Sequence, residues 1–248
     1  MKQTSWIAIG VGAMAIASTL GVLGPRPTLG QAAPVQLSLR QSLIDFFGRD
    51  TEDRNRGSNG GSRGDGQVAI ATSGDAEFCI LTPGRNETVW HQQPLFVMQG
   101  AMARLEVRSA TSGSTTTLWR APATPNGDNL VLAQFDAAPL EPGSRYALVF
   151  LQNQPNYSEP VAIYRQNFTV MPAGAARDQI AADLQHIETE LAPQGVEAIA
   201  QAKASYLIEK DLPADALHVL FAVQAPSTSL ASLRAETTET ICRFEIGL

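Results

Sequence analysis

Between Val68 and Val170 the apolar residues fall in short runs separated by Gly, Pro and Asn, a strand texture rather than a helical one. The runs are Val68-Ala71, Phe78-Leu81, Leu95-Gln99, Arg104-Ser109, Thr116-Arg120, Asn129-Phe135, Arg145-Leu151 and Ala162-Val170. Pro83-Gly84, Pro122, Pro125-Asn126-Gly127, Pro139 and Pro142-Gly143 stand between them as turns. Leu105 and Val107 alternate with Glu106 and Arg108, and Leu130 and Leu132 with Val131 and Ala133, as in half-buried antiparallel strands. The pattern predicts an all-β sandwich over residues 67–172.

After Met171-Pro172 the period lengthens. Ile180, Leu184, Ile187 and Leu191 form a stripe that predicts a helix from Arg177 to Ala192, broken by Pro193-Gln194-Gly195. A second helix follows from Val196 to about Asp211, with Ile199, Ala202, Tyr206 and Leu207. Pro213 starts a third, with Ala216, Leu217, Leu220 and Val223 on one face, and Pro226 ends it. Ser227 caps a fourth that aligns Leu230, Leu233, Thr237 and Ile241. The β-branched Thr237, Thr238 and Thr240 leave the tail Ile241 to Leu248 open between helix and strand. Residues 173–248 are thus expected to be a small α-helical module.

Two segments precede the sandwich. Pro34 to Gly48 carries Leu39, Leu43, Phe46 and Phe47 at helical spacing, an amphipathic strip read as an ordered leader. Arg49 to Gln67 has no hydrophobic residue and five Gly, which cannot bury enough surface to offset ordering entropy. Residues 33–66 are accordingly a leader and a disordered Gly/Arg-rich linker. Before them, Lys2, the uncharged run Ile7 to Leu23 and the small residues up to Ala33 have the layout of a signal peptide over residues 1–32. A 17-residue helix reaches only about 25 Å, short of the roughly 30 Å of hydrocarbon. Export to the periplasm or beyond is expected, with cleavage after Gly30 or Ala32; an uncleaved signal anchoring the chain in the membrane is the alternative.

Composition narrows the function. Of 248 residues 44% are hydrophobic, enough for a sizeable core, and 18 Lys+Arg face 24 Asp+Glu for a net charge of −6. Only three of the cations are Lys, and nucleic acid is excluded as a partner because no basic surface is expected. Residues 67–172 hold 6 bases and 8 acids, whereas 173–248 hold 5 and 11. The acidic helical module is therefore where a basic or amphipathic protein partner is expected.

No phosphate-binding loop, zincin helix, hydrolase elbow or C-x-x-C is present, and three His and two Cys leave little for a metal. No catalytic residue, cofactor or metal is predicted. His91, after Trp90 on a loop, is read as a loop-packing histidine, and Trp90 and His91 are kept as the weak ligand-face candidates. A sugar-binding face would draw on Trp90, Trp119, Tyr157 and Tyr164, but Trp119 has the setting of a core strand residue. His186 and His218 fall on helices away from any acid and nucleophile pairing that the sequence specifies, and Glu188, Glu190, Asp211 and Asp215 are expected to form a solvated face. Cys79 and Cys242 admit two readings: a disulfide that staples the helical module to the sandwich, or two separately buried thiols.

Two resemblances sharpen the architecture. Leu140-Glu141-Pro142-Gly143-Ser144-Arg145-Tyr146, followed by Ala147-Leu148-Val149-Phe150, resembles the corner before strand F of immunoglobulin and fibronectin type III domains. That likeness implies a tyrosine corner at Tyr146. Ala204, Leu207, Ala216, Leu220, Val223 and Pro226 are similar to the packing positions of a tetratricopeptide unit, without its Trp and Leu-Gly. Beyond these, Gly61-Ser62-Arg63-Gly64, Cys79-Ile80-Leu81-Thr82-Pro83-Gly84, Val89-Trp90, Gln93-Pro94-Leu95-Phe96-Val97 and Ala103-Arg104-Leu105-Glu106-Val107-Arg108 together resemble a group of exported cyanobacterial proteins that share a domain of unknown function. The resemblance implies a β-rich domain outside the cytoplasm and no catalytic residues. The sequence thus leads to a non-catalytic protein-binding or scaffold module of the cell envelope, with a carbohydrate-binding module as the alternative and a hydrolase behind both.

Overall fold

The computed structural model describes residues 38–47, 78–110 and 116–245, with side chains through Cys242. The signal peptide, the linker and the run Val68-Ala71 lie outside the described residues. Strands form at β1 (Cys79–Thr82), β2 (Thr88–Val89), β3 (Leu95–Gln99), β4 (Arg104–Ser109), β5 (Thr117–Pro122), β6 (Leu130–Gln134), β7 (Arg145–Gln152) and β8 (Val161–Val170). Seven of them coincide with the predicted runs to within two residues. The exception is β2, whose two residues are too few for any period and exist as a strand only through parallel pairing with Thr169 and Val170 of β8.

The strands build a three-stranded sheet, β1-β3-β6, and a five-stranded sheet, β2-β8-β7-β4-β5. Their facing sides share one core: Ile80, Phe96, Met98, Val131 and Ala133 from the small sheet, and Leu105, Val107, Trp119, Leu148, Phe150 and Phe168 from the large one. The opposite face of the small sheet is buried as well. Cys79, Leu81, Leu95, Val97 and Leu130 join a second core with the helices. A strand covered on both sides has no polar face, which is why β1 and β3 carry near-continuous apolar runs. The same arrangement corrects the simple alternation expected at residues 130–133: Val131 and Ala133 enter the sheet-sheet core, Leu130 the helical one, and Leu132 stays 40% exposed. Glu106, expected on a polar face, is 1% exposed.

The helices are α1 (residues 38–47), α2 (Ala175–Leu191), α3 (Val196–Glu209), α4 (Pro213–Phe221) and α5 (Thr228–Glu245), with a 3₁₀ turn at Ala192–Gln194. On α2 only Ile180 and Leu184 of the four-residue stripe are buried. The tail left open between helix and strand is helical through Glu245, and the Thr237 and Thr240 hydroxyls donate to the carbonyls of Leu233 and Glu236 four residues back. The leader strip does not lie on the surface alone: Leu39, Leu43 and Phe47, on one face of α1, are buried in the helical core, and Arg40 Nε meets Glu236 Oε2 of α5 at 2.5 Å. The described residues all belong to one compact unit. No described helix is long and apolar enough to cross a membrane.

Candidate functional site

A gathering of ionisable and aromatic side chains lies where α4 meets the small sheet. The short β2 delivers the chain to Trp90 and His91, and Pro94 leads it into β3 at Leu95. Opposite stands the first turn of α4, begun by Pro213, whose fixed φ and missing N–H suit a first helical position. Asp215 falls in that turn, where the helix dipole favours a carboxylate. It accepts hydrogen bonds from the Trp90 N–H at 2.6 Å and the His91 N–H at 2.8 Å, and the His91 ring Nδ1 lies 2.6 Å from its Oδ1. The Asp215 side chain is 2% exposed, that of His91 23%.

His218, one turn further along α4, stacks on His91 with ring centroids 3.9 Å apart and planes 13° from parallel. Its Nδ1 accepts the Leu95 N–H at 3.0 Å, a role open only to an unprotonated nitrogen. Burial, reinforced by the neighbouring His91, pushes the His218 pKa down to about 3, against the opposing pull of Asp215. Trp90 completes the group: its Nε1–H donates to the Arg177 carbonyl at 3.2 Å, and the Arg177 guanidinium lies 5.2 Å from the ring centroid. On the other flank, Thr82 Oγ1 donates to the Ala214 carbonyl at 3.3 Å.

This geometry overturns three expectations. Asp215 is not on a solvated face, His218 does have an acid nearby, and His91 is paired with a buried carboxylate rather than merely packed on a loop. The four aromatics of the imagined sugar face are dispersed. Trp119 is in the sheet-sheet core with its Nε1–H on Asp136 at 2.7 Å, Tyr164 packs on Phe78 and Phe150, and Tyr157 stands apart at 62% exposure. Only Trp90 and His91 of the candidates come together. Asp215 and His218 were missed as site residues because nothing in the local sequence of α4 announces a partner more than 120 residues away, and Arg177 of α2 because its partner Trp90 stands 87 residues earlier. The one available hint was an acid two residues after a helix-starting proline.

A histidine held by a buried carboxylate has the orientation that a general base requires. Here the imidazole is stacked under His218 on one side and meets Trp90 edge-on at 4.9 Å, and both Asp215 oxygens are engaged by the chain. Among the described residues no group of three or more His, Cys, Asp or Glu is placed to hold a metal ion. A groove of about 460 Å³ lies elsewhere, at the end of the sandwich among Leu118, Phe135, Pro139, Leu140 and Tyr146, and none of the junction residues lines it.

Tyr146, the corner candidate, is buried in the sheet-sheet core, and its hydroxyl accepts the Glu141 N–H at 2.8 Å. Gly143 takes φ +80° in the intervening turn, a conformation that costs glycine little. Cys79 of β1 and Cys242 of α5 form a disulfide across 163 residues, with Cα atoms 5.5 Å apart, so the first of the two cysteine readings holds. A buried structural disulfide points to an oxidising compartment outside the cytoplasm. No protein-family model matches this chain. No curated protein aligns with it significantly.

Proposed function

We propose that the chain is an exported, non-catalytic binding or scaffold protein of the cell envelope, an immunoglobulin or fibronectin type III-like sandwich whose helical module offers an acidic surface to a protein partner. The observation that carries this reading is the saturation of its most reactive-looking group. Asp215 spends both oxygens on the Trp90 and His91 loop, and His218 spends its Nδ1 on β3, so the junction chemistry is directed at holding sheet and helices together. A carboxylate and two imidazoles used in this way act as fasteners.

Other features support the same reading. The corner at Tyr146 is the local signature of the proposed sandwich type, and the α3-α4 hairpin, with Ala204, Leu207, Ala216 and Leu220 buried between its helices and the rest of the core, supports the tetratricopeptide-like packing. Glu188, Glu190, Glu209 and Glu239 on the helices and Asp211 in the turn between α3 and α4 remain exposed, the right polarity for a basic or amphipathic partner. The disulfide supports export.

Affinity capture from an envelope fraction tests the proposal, using the intact protein and the Glu188→Lys/Glu190→Lys variant. A stoichiometric protein that the wild type retains and the variant loses is the expected result. Retention on a glycan array that depends on Trp90, with no protein captured, would replace it by the carbohydrate-binding reading.

A further inference from the structure

On the outer face of the five-stranded sheet, the side away from the helices, a single carboxylate gathers three guanidinium groups. Glu106 lies in the middle of β4, directly opposite Arg120 of β5 and Val149 of β7, and Val149 is in turn opposite Arg165 of β8. Arg104 and Arg108 stand two residues to either side of it on β4 and share its face, because side chains alternate along a strand. Arg108 reaches Glu106 Oε2 through Nε at 2.9 Å and Nη2 at 2.7 Å, and Thr117 Oγ1 donates to the same oxygen at 3.2 Å. Arg104 Nε and Arg120 Nε lie 3.1 and 3.3 Å from Oε1. The Glu106 side chain is 2% exposed and the three arginines 28%, 31% and 62%. Ala147, Val149 and Leu151 are buried at the centre of this face, beside the arginine stems.

One buried carboxylate needs one cation, and this one has three. The surplus of two positive charges sits in a chain whose net charge is −6, and among the described residues only Glu159, 81% exposed and 3.8 Å from Arg104 Nη1, stands close enough to offset part of it. Nε is the atom of Arg104 and of Arg120 that lies against Glu106 Oε1, and among the described residues Glu159, 3.8 Å from Arg104 Nη1, is the one carboxylate paired with their Nη groups, which leaves the Arg120 Nη edge to meet a second anion. Burial works against ionisation of Glu106, but Arg108, Thr117 and Arg104 more than offset it and hold its pKa below the ordinary carboxylate value. The carboxylate therefore stays charged and keeps the three arginines in place.

We infer that Arg104, Arg108 and Arg120, organised on Glu106, form a binding site for a tetrahedral oxyanion, a sulfate or phosphate group. Such a dianion matches the surplus charge, and its oxygens suit the planar N–H edges of guanidinium better than a monovalent halide does. The site is an open sheet surface, so it admits a group carried on a larger molecule as readily as a free ion. Arg165, two strand spacings or about 10 Å from Glu106, is placed for a neighbouring anionic group of the same molecule.

Thermal unfolding and calorimetric titration of the intact protein with sodium sulfate and sodium phosphate, against sodium chloride at equal ionic strength, test the inference. The expected result is saturable binding with a raised Tm in sulfate and phosphate, weakened about tenfold in Arg120→Gln and abolished in Arg104→Gln/Arg120→Gln. Arg120 is the most exposed of the three, so Arg120→Gln is expected to keep the wild-type circular dichroism and salt-free Tm. Arg165→Gln is expected to leave inorganic sulfate binding unchanged while weakening retention on dextran sulfate. Retention on dextran sulfate but not on phosphatidylglycerol vesicles assigns the group to a polymer, and the reverse to a lipid headgroup. A Tm rise equal to that in chloride, or sulfate binding undiminished in the double variant, would overturn the site.

Discussion

Asp215 and His91 are joined twice, through the His91 ring Nδ1 at 2.6 Å and through its backbone N–H at 2.8 Å. A residue in the first turn of α4 is thereby fastened to both the side chain and the main chain of the loop between β2 and β3. With Trp90 N–H as a third donor, the bond pattern fixes where the helices sit on the small sheet.

Asp215→Asn keeps the shape but turns one acceptor oxygen into a donor facing an N–H. Leaving a buried N–H unmatched and removing charge from these hydrogen bonds costs about 2–3 kcal/mol. Urea denaturation followed by circular dichroism should show the midpoint falling with little change in slope.

His218 makes stability depend on pH with a definite sign. Its folded pKa, about 3, lies below the unfolded value of roughly 6.5, so between those limits the unfolded chain binds a proton that the folded one does not. The contribution is complete above pH 6.5 and declines as pH falls toward 3, by about 1.4 kcal/mol per pH unit in mid-range. His218→Asn can still accept the Leu95 N–H and should show a shallower acid slope than the wild type. Equal slopes, or an NMR titration of the His218 ring near pH 6.5, would exclude the buried neutral imidazole.

Cys79 and Cys242 close a loop of 163 residues in sequence, for which loop-closure entropy gives about 5 kcal/mol as an upper figure. Cys79→Ser/Cys242→Ser is expected to lose about 2–5 kcal/mol, and reduction of the wild type under denaturing conditions should bring its refolded stability to the level of the double variant.

Leu43, 1% exposed, anchors α1 in the helical core. Leu43→Ala should cost about 2–4 kcal/mol, whereas a leader lying on the surface would tolerate it within about 0.5 kcal/mol. Tyr146→Phe is a finer probe in the sheet-sheet core: it removes only the hydroxyl that accepts the Glu141 N–H, for about 1 kcal/mol.

These residues also mark what the chain disclosed by itself. Elements whose pattern is local were legible: β3 and β4 were delimited to the residue, and Tyr146 was placed by a corner whose parts all lie within five residues. The cysteines were seen as a candidate pair because an exported chain with two of them offers few alternatives. What escaped notice depends on distant partners. Asp215 resembles any first-turn acid until Trp90 and His91 are brought to it, and β2 has no period of its own because Thr169 and Val170 create it. Glu106 looked solvated because alternation tells which face a residue occupies, not what else crowds that face, and the three arginines come from two strands. The two-sided burial of β1 and β3 was hidden for a related reason: a continuous apolar run does not reveal that helices cover its second face.

The central claim is that sheet and helices are one cooperative unit pinned at Asp215. Native-state hydrogen exchange by mass spectrometry, on the wild type and Asp215→Asn, addresses it most directly. Amides of β1, β3 and α4 are expected to open at a common free energy in the wild type, and Asp215→Asn to lower all of them together. Independent opening of α4 at a lower free energy in the wild type, with β1 and β3 unaffected by Asp215→Asn, would contradict it.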